Sequence, residues 1–447
     1  MNYVLVLGAG RSSASLIQYL LDQSAALQLK ITVGDFAESA ARERIGSHPH
    51  GRAISFDITN ATASEKEIAM ADIVISLLPA HLHPLVAKIC LEKRKHLLTA
   101  SYISDEMKGF HEEAQKNGLL FLNECGLDPG IDHMSAMQVM DRVRAAGGTI
   151  DSFESFTGGL IAPETDPTNP WRYKFTWNAR NVVMAGQGTA KYLQNGEYKY
   201  ISYPQLFKRI TPVEVPGFGA YDGYANRDSL KYIEAYGLQG VKTMLRGTLR
   251  NKGFCEAWDA FVQLGCCDDT YLMESVGQMT HRGFLNSFLA FDRSLTVEQK
   301  IARQLNWAID SPAIQKLRWA GLFDEEKIGL EKGTPAQILE HILNKKWKLA
   351  PEDVDMIVMW HRFGFRHNGE QREIQASLVV RGSDAIHTAM AKTVGLPLGI
   401  AATCLVKKRI SITGVMAPVI PAIYAPIMEE LDGMGIKLEE REMAVTS

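Results

Sequence analysis

What the chain lacks narrows its partners before any motif is read. Across 447 residues, 48 Lys and Arg stand against 51 Asp and Glu, for a net charge of −3. With no basic excess there is no electrostatic drive toward a phosphate backbone, and no nucleic-acid partner is expected. The most apolar late stretch, Val394–Val406, is shorter than the roughly 20 residues a spanning helix needs and contains Pro397. A buried helix or strand is expected there, and no membrane partner. Six cysteines are scattered, with only Cys266 and Cys267 adjacent. No spacing among them suits a zinc knuckle or a disulfide framework, so no metal is expected and the protein reads as reduced. No internal repeat or low-complexity stretch is visible. Apolar residues begin at Tyr3, so no signal or transit segment is expected, and the expected location is cytoplasmic.

What is present is ordinary globular composition, 46% hydrophobic and 22% charged, in a chain too long for one core. Two or three domains are expected. Over residues 1–125, short apolar runs (Tyr3–Leu7, Lys30–Gly34, Ala53–Phe56, Asp72–Leu77, Leu97–Ala100, Leu119–Leu122) alternate with amphipathic segments such as Ser13–Leu27, Pro84–Lys95 and Asp105–Asn117. That alternation predicts an α/β domain with a parallel, doubly wound sheet. Beyond Asn123–Gly130 the pattern changes. Strand-like runs at Ser152–Thr157 and Lys242–Leu249, with long loops between, predict an α+β domain. Residues 256–350 read mainly helical, at Glu256–Leu264, Val297–Ala308, Ser311–Ala320 and Pro335–Leu343. Val354–His361 and Glu373–Val380 read as strands, and Ser383–Val394 as a helix.

Gly8-Ala9-Gly10-Arg11-Ser12-Ser13 follows the first strand and opens the first helix, the setting in which a G-x-G-x-x-G loop binds a dinucleotide. Gly8 permits the tight turn, Gly10 lets the backbone approach the pyrophosphate, and the helix N-terminus offers N–H groups to the anion. Ser13 replaces the third glycine and is small enough for close helix–strand packing. Asp35 ends the second strand, where an acidic side chain accepts from the adenosine ribose hydroxyls and repels a 2′-phosphate; this argues for NAD. Arg11 leaves NADP open. Asp57, ending the third strand, is a candidate for the adenine side. Ser76, Leu77 and Leu78 end the fourth strand and are expected near the nicotinamide ribose, because ligands sit beyond the carboxyl ends of such strands. The ends of the fifth and sixth strands, Thr99–Tyr102 and Asn123–Asp128, are expected at the same edge.

Several blocks then resemble saccharopine dehydrogenases of the glutamate-forming type. They are Asn123–His133 (NECGLDPGIDH), Tyr173–Trp177 (YKFTW), Asn226–Ser229 (NRDS), Arg246–Arg250 (RGTLR) and Ala391–Pro397 (AKTVGLP), in family order. The resemblance implies a Rossmann domain at 1–127 plus 394–430, to which the C-terminal segment returns. It implies an α+β saccharopine-binding domain at 128–255 plus 351–393, which also supports a homodimer, and a small helical domain at 256–350. It implies saccharopine contacts at Ser101, Asp128, Arg227 and Thr248. Lys174, Asn226 and Arg250 are added from chemistry, since three substrate carboxylates require cationic or well-aimed polar donors. Arg227 is the leading carboxylate clamp. Asp128 is the catalytic candidate, holding the substrate amine and available for proton transfer.

Other residues carry milder expectations. His81-Leu82-His83 lacks a neighbouring carboxylate or cysteine and makes a poor metal pair. Asp132 is expected to cap the helix beginning near His133, and His133 to be a cap neighbour rather than a base. Nothing near Cys125 predicts a depressed pKa. Two other functions remain open at this stage. One is a carboxynorspermidine-type dehydrogenase with the same fold. The other is a regulator that binds NAD(H) without turnover.

Overall fold

The structure is a computed structural model that describes residues 2–185 and 187–444, and its chain divides into two units. The first comprises Met1–Ile150, Phe365–Arg372 and Leu378–Ser447, and the second Asp151–Gly364 with Glu373–Ser377. Residues 256–350 lie within the second unit, and the N-terminal stretch of the first unit runs to Ile150. Eighteen strands occur among the described residues. In the first unit they begin with β1 (Asn2–Leu7), β2 (Leu29–Asp35), β3 (Gly51–Ser55), β4 (Ile73–Ser76), β5 (His96–Thr99) and β6 (Leu120–Leu122). The second sheet is built from β7 (Thr149–Ile161), β8 (Ala190–Gln194), β9 (Glu197–Ile201), β10 (Ile210–Val215), β11 (Gly219–Ala225) and β12 (Thr243–Asn251), then β15 (Asp355–His367), β16 (Glu370–Arg381) and β18 (Glu439–Ala444). The remaining strands are a two-residue ladder, β13 (Met273–Glu274) with β14 (Lys332–Gly333), and β17 (Gly414–Met416).

In the first unit the strand order is β17-β6-β5-β4-β1-β2-β3, with every described pairing parallel. This is the doubly wound order, and it reverses beside β1. Helices cover the sheet, so its strands are apolar on both faces. Leu5, Val74, Leu97 and Phe121 from neighbouring strands pack with Ile68, Val86, Cys90 and Val415 in one buried cluster.

The return of the C-terminal segment is realised differently from the helix expected at Ser383–Val394. The helix instead runs Ala389–Val406, capped by Thr388, whose Oγ1 accepts from the Ala391 N–H at 2.9 Å. It continues through Pro397. By length and composition it is apolar enough to cross a membrane, yet 67% of that stretch is buried within the protein. Its partner is the helix Ala14–Leu27. A Cβ on Gly395 would lie 3.0 Å from Leu16 Cβ, Leu16 N and Ser12 O, so the glycine lets the two helices touch backbone to backbone. That packing, rather than local propensity, carries the helix past the proline, which removes one hydrogen bond and strains the turn before it.

In the second unit the core is aromatic. Trp171, Tyr173 and Phe175 are at most 1% exposed and pack edge-on against Trp347 at centroid distances of 5.1–5.2 Å. Phe254, Trp258 and Phe261 line the same cluster from the helix Phe254–Leu264. The YKFTW block is thus largely a packing motif, its alternate residues facing the core and its backbone tied to the helix Pro335–Trp347 by the Phe175 N–H donating to Trp347 O at 2.7 Å. Truncating Trp347→Ala should destabilise this unit by about 3–5 kcal/mol in a denaturant titration. Trp347→Phe should cost distinctly less, because the indole N–H has no hydrogen-bond partner among the described residues. Equal losses from the two substitutions would contradict this account of the core.

Candidate active site

The glycine loop sits at the carboxyl edge of the first sheet. Gly8 has φ +104°, and its N–H donates to Gly34 O at 2.8 Å. A Cβ there would press on the Leu77 carbonyl at 3.3 Å, so the loop rests directly against the end of β4. Around Gly10, by contrast, a Cβ would meet nothing within 4 Å. The turn Arg11–Ser13 and the helix behind it begin without a side-chain cap. Open space beside uncapped helix N–H groups fits a pyrophosphate. Ser13 is 1% exposed and donates its hydroxyl to Gly10 O at 2.8 Å, which locks the turn that a third glycine would otherwise allow to close.

Asp35 accepts from the Ala9 N–H at 2.8 Å and the Ala37 N–H at 3.0 Å, so its carboxylate ties the glycine loop to the end of β2. Asp57 is otherwise engaged. It accepts from both the N–H (2.9 Å) and the hydroxyl (2.7 Å) of Thr59, and these bonds hold its pKa below the ordinary range. Its local role is a turn leading into the helix Ala61–Met70.

At the ends of β4 and β5 the structure assembles something the sequence did not reveal. His83, at the start of the helix His83–Lys93, turns inward and is 2% exposed, while His81 is exposed. The imidazole Nδ1 is 3.0 Å from Ser76 Oγ, and Nε2 is 2.8 Å from Ser101 Oγ and 3.0 Å from Thr99 Oγ1. Burial pushes its pKa down to about 4, with a smaller contribution from His81, so the ring is neutral near pH 7. The two histidines of the HLH string therefore diverge. Among the described residues no group of three or more His, Cys, Asp or Glu is placed to hold a metal.

The sixth strand leads into the loop Asn123–Gly130. Its N–H groups bond back to β5's end, Glu124 N to Ser101 O at 3.0 Å and Cys125 N to Thr99 O at 3.2 Å. Gly130 has φ +148°, and a Cβ there would fall 2.1 Å from Gly126 O, so only glycine closes this loop. Asp128, partly exposed, accepts from the Tyr102 hydroxyl at 3.2 Å. The sequence places Tyr102 at this edge, within Thr99–Tyr102, but gives it no role. Behind the loop, His133 Nε2 is 2.9 Å from Glu124 Oε2 and Nδ1 is 3.6 Å from Asp132 Oδ2, all three side chains being buried. Asp132 accepts the Gly130 N–H at 2.6 Å, at the start of the helix Ile131–Ala145. His133 is thus held between two carboxylates under the loop. Cys125 is fully buried, which raises its thiol pKa.

In the second unit, Arg246, Thr248 and Arg250 occupy alternate positions of β12 and so share one face of the sheet. Thr248 lies opposite Tyr224 on β11 and Thr157 on β7. The Arg246 guanidinium sits 4.2 Å above the Tyr232 ring. Arg250 is 5% exposed, with its guanidinium 5.1 Å from the Tyr173 ring and 5.4 Å from Phe254. Its one hydrogen bond among the described residues goes to Leu249 O, and its Nε has no partner. Asn226 donates its N–H to Arg246 O, and Arg227 follows, exposed and at φ +49°. Lys174 stands apart from these. Its ammonium lies 2.8 Å from Asp353 and 3.2 Å from Asp166. Burial opposes its charge, but those carboxylates hold its pKa above the ordinary value.

Two family models match the chain: a saccharopine dehydrogenase NADP binding domain over residues 4–122 and a saccharopine dehydrogenase C-terminal domain over residues 126–436. The rat mitochondrial alpha-aminoadipic semialdehyde synthase is 36% identical over 97% of this chain, but the match covers 47% of that protein. The chain thus spans about half the length of this relative and of its bovine and mouse counterparts. The saccharopine dehydrogenase [NADP(+), L-glutamate-forming] of Saccharomyces cerevisiae is 35% identical, with 99% of each chain covered. A solved structure of apo saccharopine dehydrogenase (L-Glu forming) from the same yeast superposes with a TM-score of 0.89 at 32% identity, covering 99% of this chain and 100% of that one. The chain belongs to the saccharopine dehydrogenase family, in its glutamate-forming branch.

Proposed function

We propose that the chain catalyses the reversible conversion of saccharopine, an oxidised nicotinamide dinucleotide and water into glutamate, 2-aminoadipate 6-semialdehyde, the reduced dinucleotide and a proton. The observation that carries this reading is the gathering of Ser76, His83, Ser101, Tyr102 and Asp128 at the carboxyl edge of a dinucleotide-binding sheet. The nicotinamide ring, when bound, supplies the hydride acceptor.

The rest of the chemistry falls to this chain's residues. Saccharopine's secondary amine must be unprotonated before hydride leaves the adjacent carbon. We assign Asp128 to hold and orient the amine; the Tyr102 hydroxyl donating to Asp128 Oδ1 supports this by fixing that carboxylate and offering a route for a proton. Water then adds to the carbon–nitrogen double bond of the oxidised substrate, and the carbon–nitrogen bond breaks with the amine departing as glutamate. In the first unit, Ser101 and Asp128 are the proposed substrate residues. The second unit, taken by itself, offers Asn226, Arg227, Thr248 and Arg250 as candidate groups for anionic ligands. Arg250 has a specific argument in its favour. A guanidinium this buried, with no carboxylate partner among the described residues, is costly unless a ligand anion compensates it. Lys174 has the opposite standing, since two carboxylates already neutralise it, and its part is structural.

For the cofactor, the NADP binding domain matched over residues 4–122 and the names of the fungal relatives point to NADP, while Asp35 at the end of β2 argues the other way, since an acidic side chain there would repel a 2′-phosphate. We infer a preference for NAD. Initial rates of nicotinamide reduction with saccharopine, at mildly alkaline pH, test both points. Turnover is expected with NAD the better cofactor. Turnover with NADP preferred would overturn the cofactor reading alone, and bound dinucleotide without turnover would support a regulator instead. Replacing Asp35→Ser should shift the NAD/NADP ratio of kcat/KM toward NADP by about tenfold or more, the worth of one charge-assisted hydrogen bond. Arg227→Ala should raise the saccharopine KM by about 10–100-fold while leaving dinucleotide affinity unchanged; an unaltered KM would remove Arg227 from the site. Lys174→Met should behave in the reverse way, lowering stability by about 3–5 kcal/mol with little change in KM.

A further inference from the structure

His83 joins three hydroxyl groups that come from the ends of two neighbouring strands. Ser76 and Thr99 are 0% and 1% exposed, and Ser101 is partly exposed. Thr99 Oγ1 also accepts the Ser101 N–H at 3.2 Å, so the backbone and the side chain of Ser101 are both held by this cluster. The neutral ring has one N–H and one lone pair to share among three hydroxyls. If Nδ1 carries the hydrogen, one lone pair must receive two O–H groups. If Nε2 carries it, one N–H is shared by two oxygens. In either tautomer the ring cannot take up every hydroxyl hydrogen, and the hydroxyl with room to direct its hydrogen outward is that of Ser101. Ser76 and Thr99 are sealed in, and their role is to keep the ring from rotating.

We propose that His83 is a positioning residue for substrate: it fixes Ser101 Oγ so that its hydrogen is presented to a carboxylate of the amino-acid substrate. The arrangement also ties Ser101 to Ser76, at the end of the strand beside the glycine loop, so a substrate donor and the cofactor-side strand share one rigid support. A neutral imidazole suits this task, because a ring that carried its own charge would attract the carboxylate away from the hydroxyl. The proposal rests on the saccharopine reading given above, through the role assigned to Ser101.

The test compares wild type, His83→Phe, His83→Asn, Ser101→Ala and the double variant His83→Phe/Ser101→Ala, using saccharopine as substrate and reduced dinucleotide as a separate binding probe. Each His83 variant is first checked for its thermal midpoint, and His83→Asn, which retains a polar group of similar reach, serves if His83→Phe does not fold. The expected result is a saccharopine KM raised about tenfold or more by His83→Phe, with a smaller change in kcat, and dinucleotide affinity within about twofold of wild type. His83→Asn should recover part of the loss. The double variant should be no worse than Ser101→Ala alone, because both substitutions remove the same contact. An unchanged KM in a folded His83 variant, or full additivity with Ser101→Ala, would overturn the proposal while leaving the saccharopine reading intact. Absence of saccharopine turnover in wild type would overturn that reading, and this proposal with it.

Discussion

Parallel pairing makes every strand of the first sheet end at the same edge, and the candidate chemistry depends on that constraint. Hydrogen bonds in register from β3 through β1 to β6 align the ends at Asp35, Leu7, Ser76, Thr99 and Leu122. Residues separated by more than a hundred positions in the chain thus become neighbours without any long loop having to bring them together. The glycine loop leans on the end of β4, and the loop after β6 is bonded back to the end of β5. Loss of one strand's register would turn its side chains to the other face and remove its contribution to the edge.

On that edge, rigidity comes from buried polar groups that satisfy one another. His83 is neutral and holds three hydroxyls, while His133 lies between Glu124 and Asp132 beneath the loop that carries Asp128. Such networks specify one arrangement because every alternative leaves a buried donor or acceptor unmet. The second unit uses polarity in another way. Its aromatic core surrounds Arg250, whose charge meets rings and a carbonyl rather than a carboxylate, whereas Lys174 is fully paired. That contrast is the ground for proposing Arg250, and not Lys174, as a partner for an anionic ligand.

How far the sequence could be read follows from the range of the interactions involved. Strands β1 to β6 are found within two residues of their expected positions because each is a short apolar run closed by a turn, a local signal, whereas the seventh strand of that sheet, β17, is three residues long and was not expected. The glycine loop was legible for the same reason, as was the loop Asn123–His133. The helix Ala389–Val406 was misplaced because Pro397 is a local stop signal and the opposing packing against Leu16 and Ser12 is not local. His83 was read as half of an unconvincing metal pair. Nothing in the HLH string shows which histidine turns inward, although a histidine before a proline at a helix start, downstream of a strand ending in serine, would have been a usable hint. Lys174 was ambiguous because one of its partners, Asp353, lies 179 positions away. Tyr173 and Phe175, conspicuous as part of a signature, prove to be core residues.

The central claim is that the chain oxidises the lysine-side carbon next to saccharopine's secondary nitrogen, leaving that nitrogen with glutamate. Its most direct test uses saccharopine dideuterated at that carbon, with mass analysis of the nicotinamide and amino-acid products. The account predicts one deuterium on the reduced nicotinamide, one retained on the semialdehyde carbon, and unlabelled glutamate formed in equal amount. Unlabelled reduced nicotinamide with lysine as the released amine would place the oxidation on the other side of the nitrogen and contradict the account.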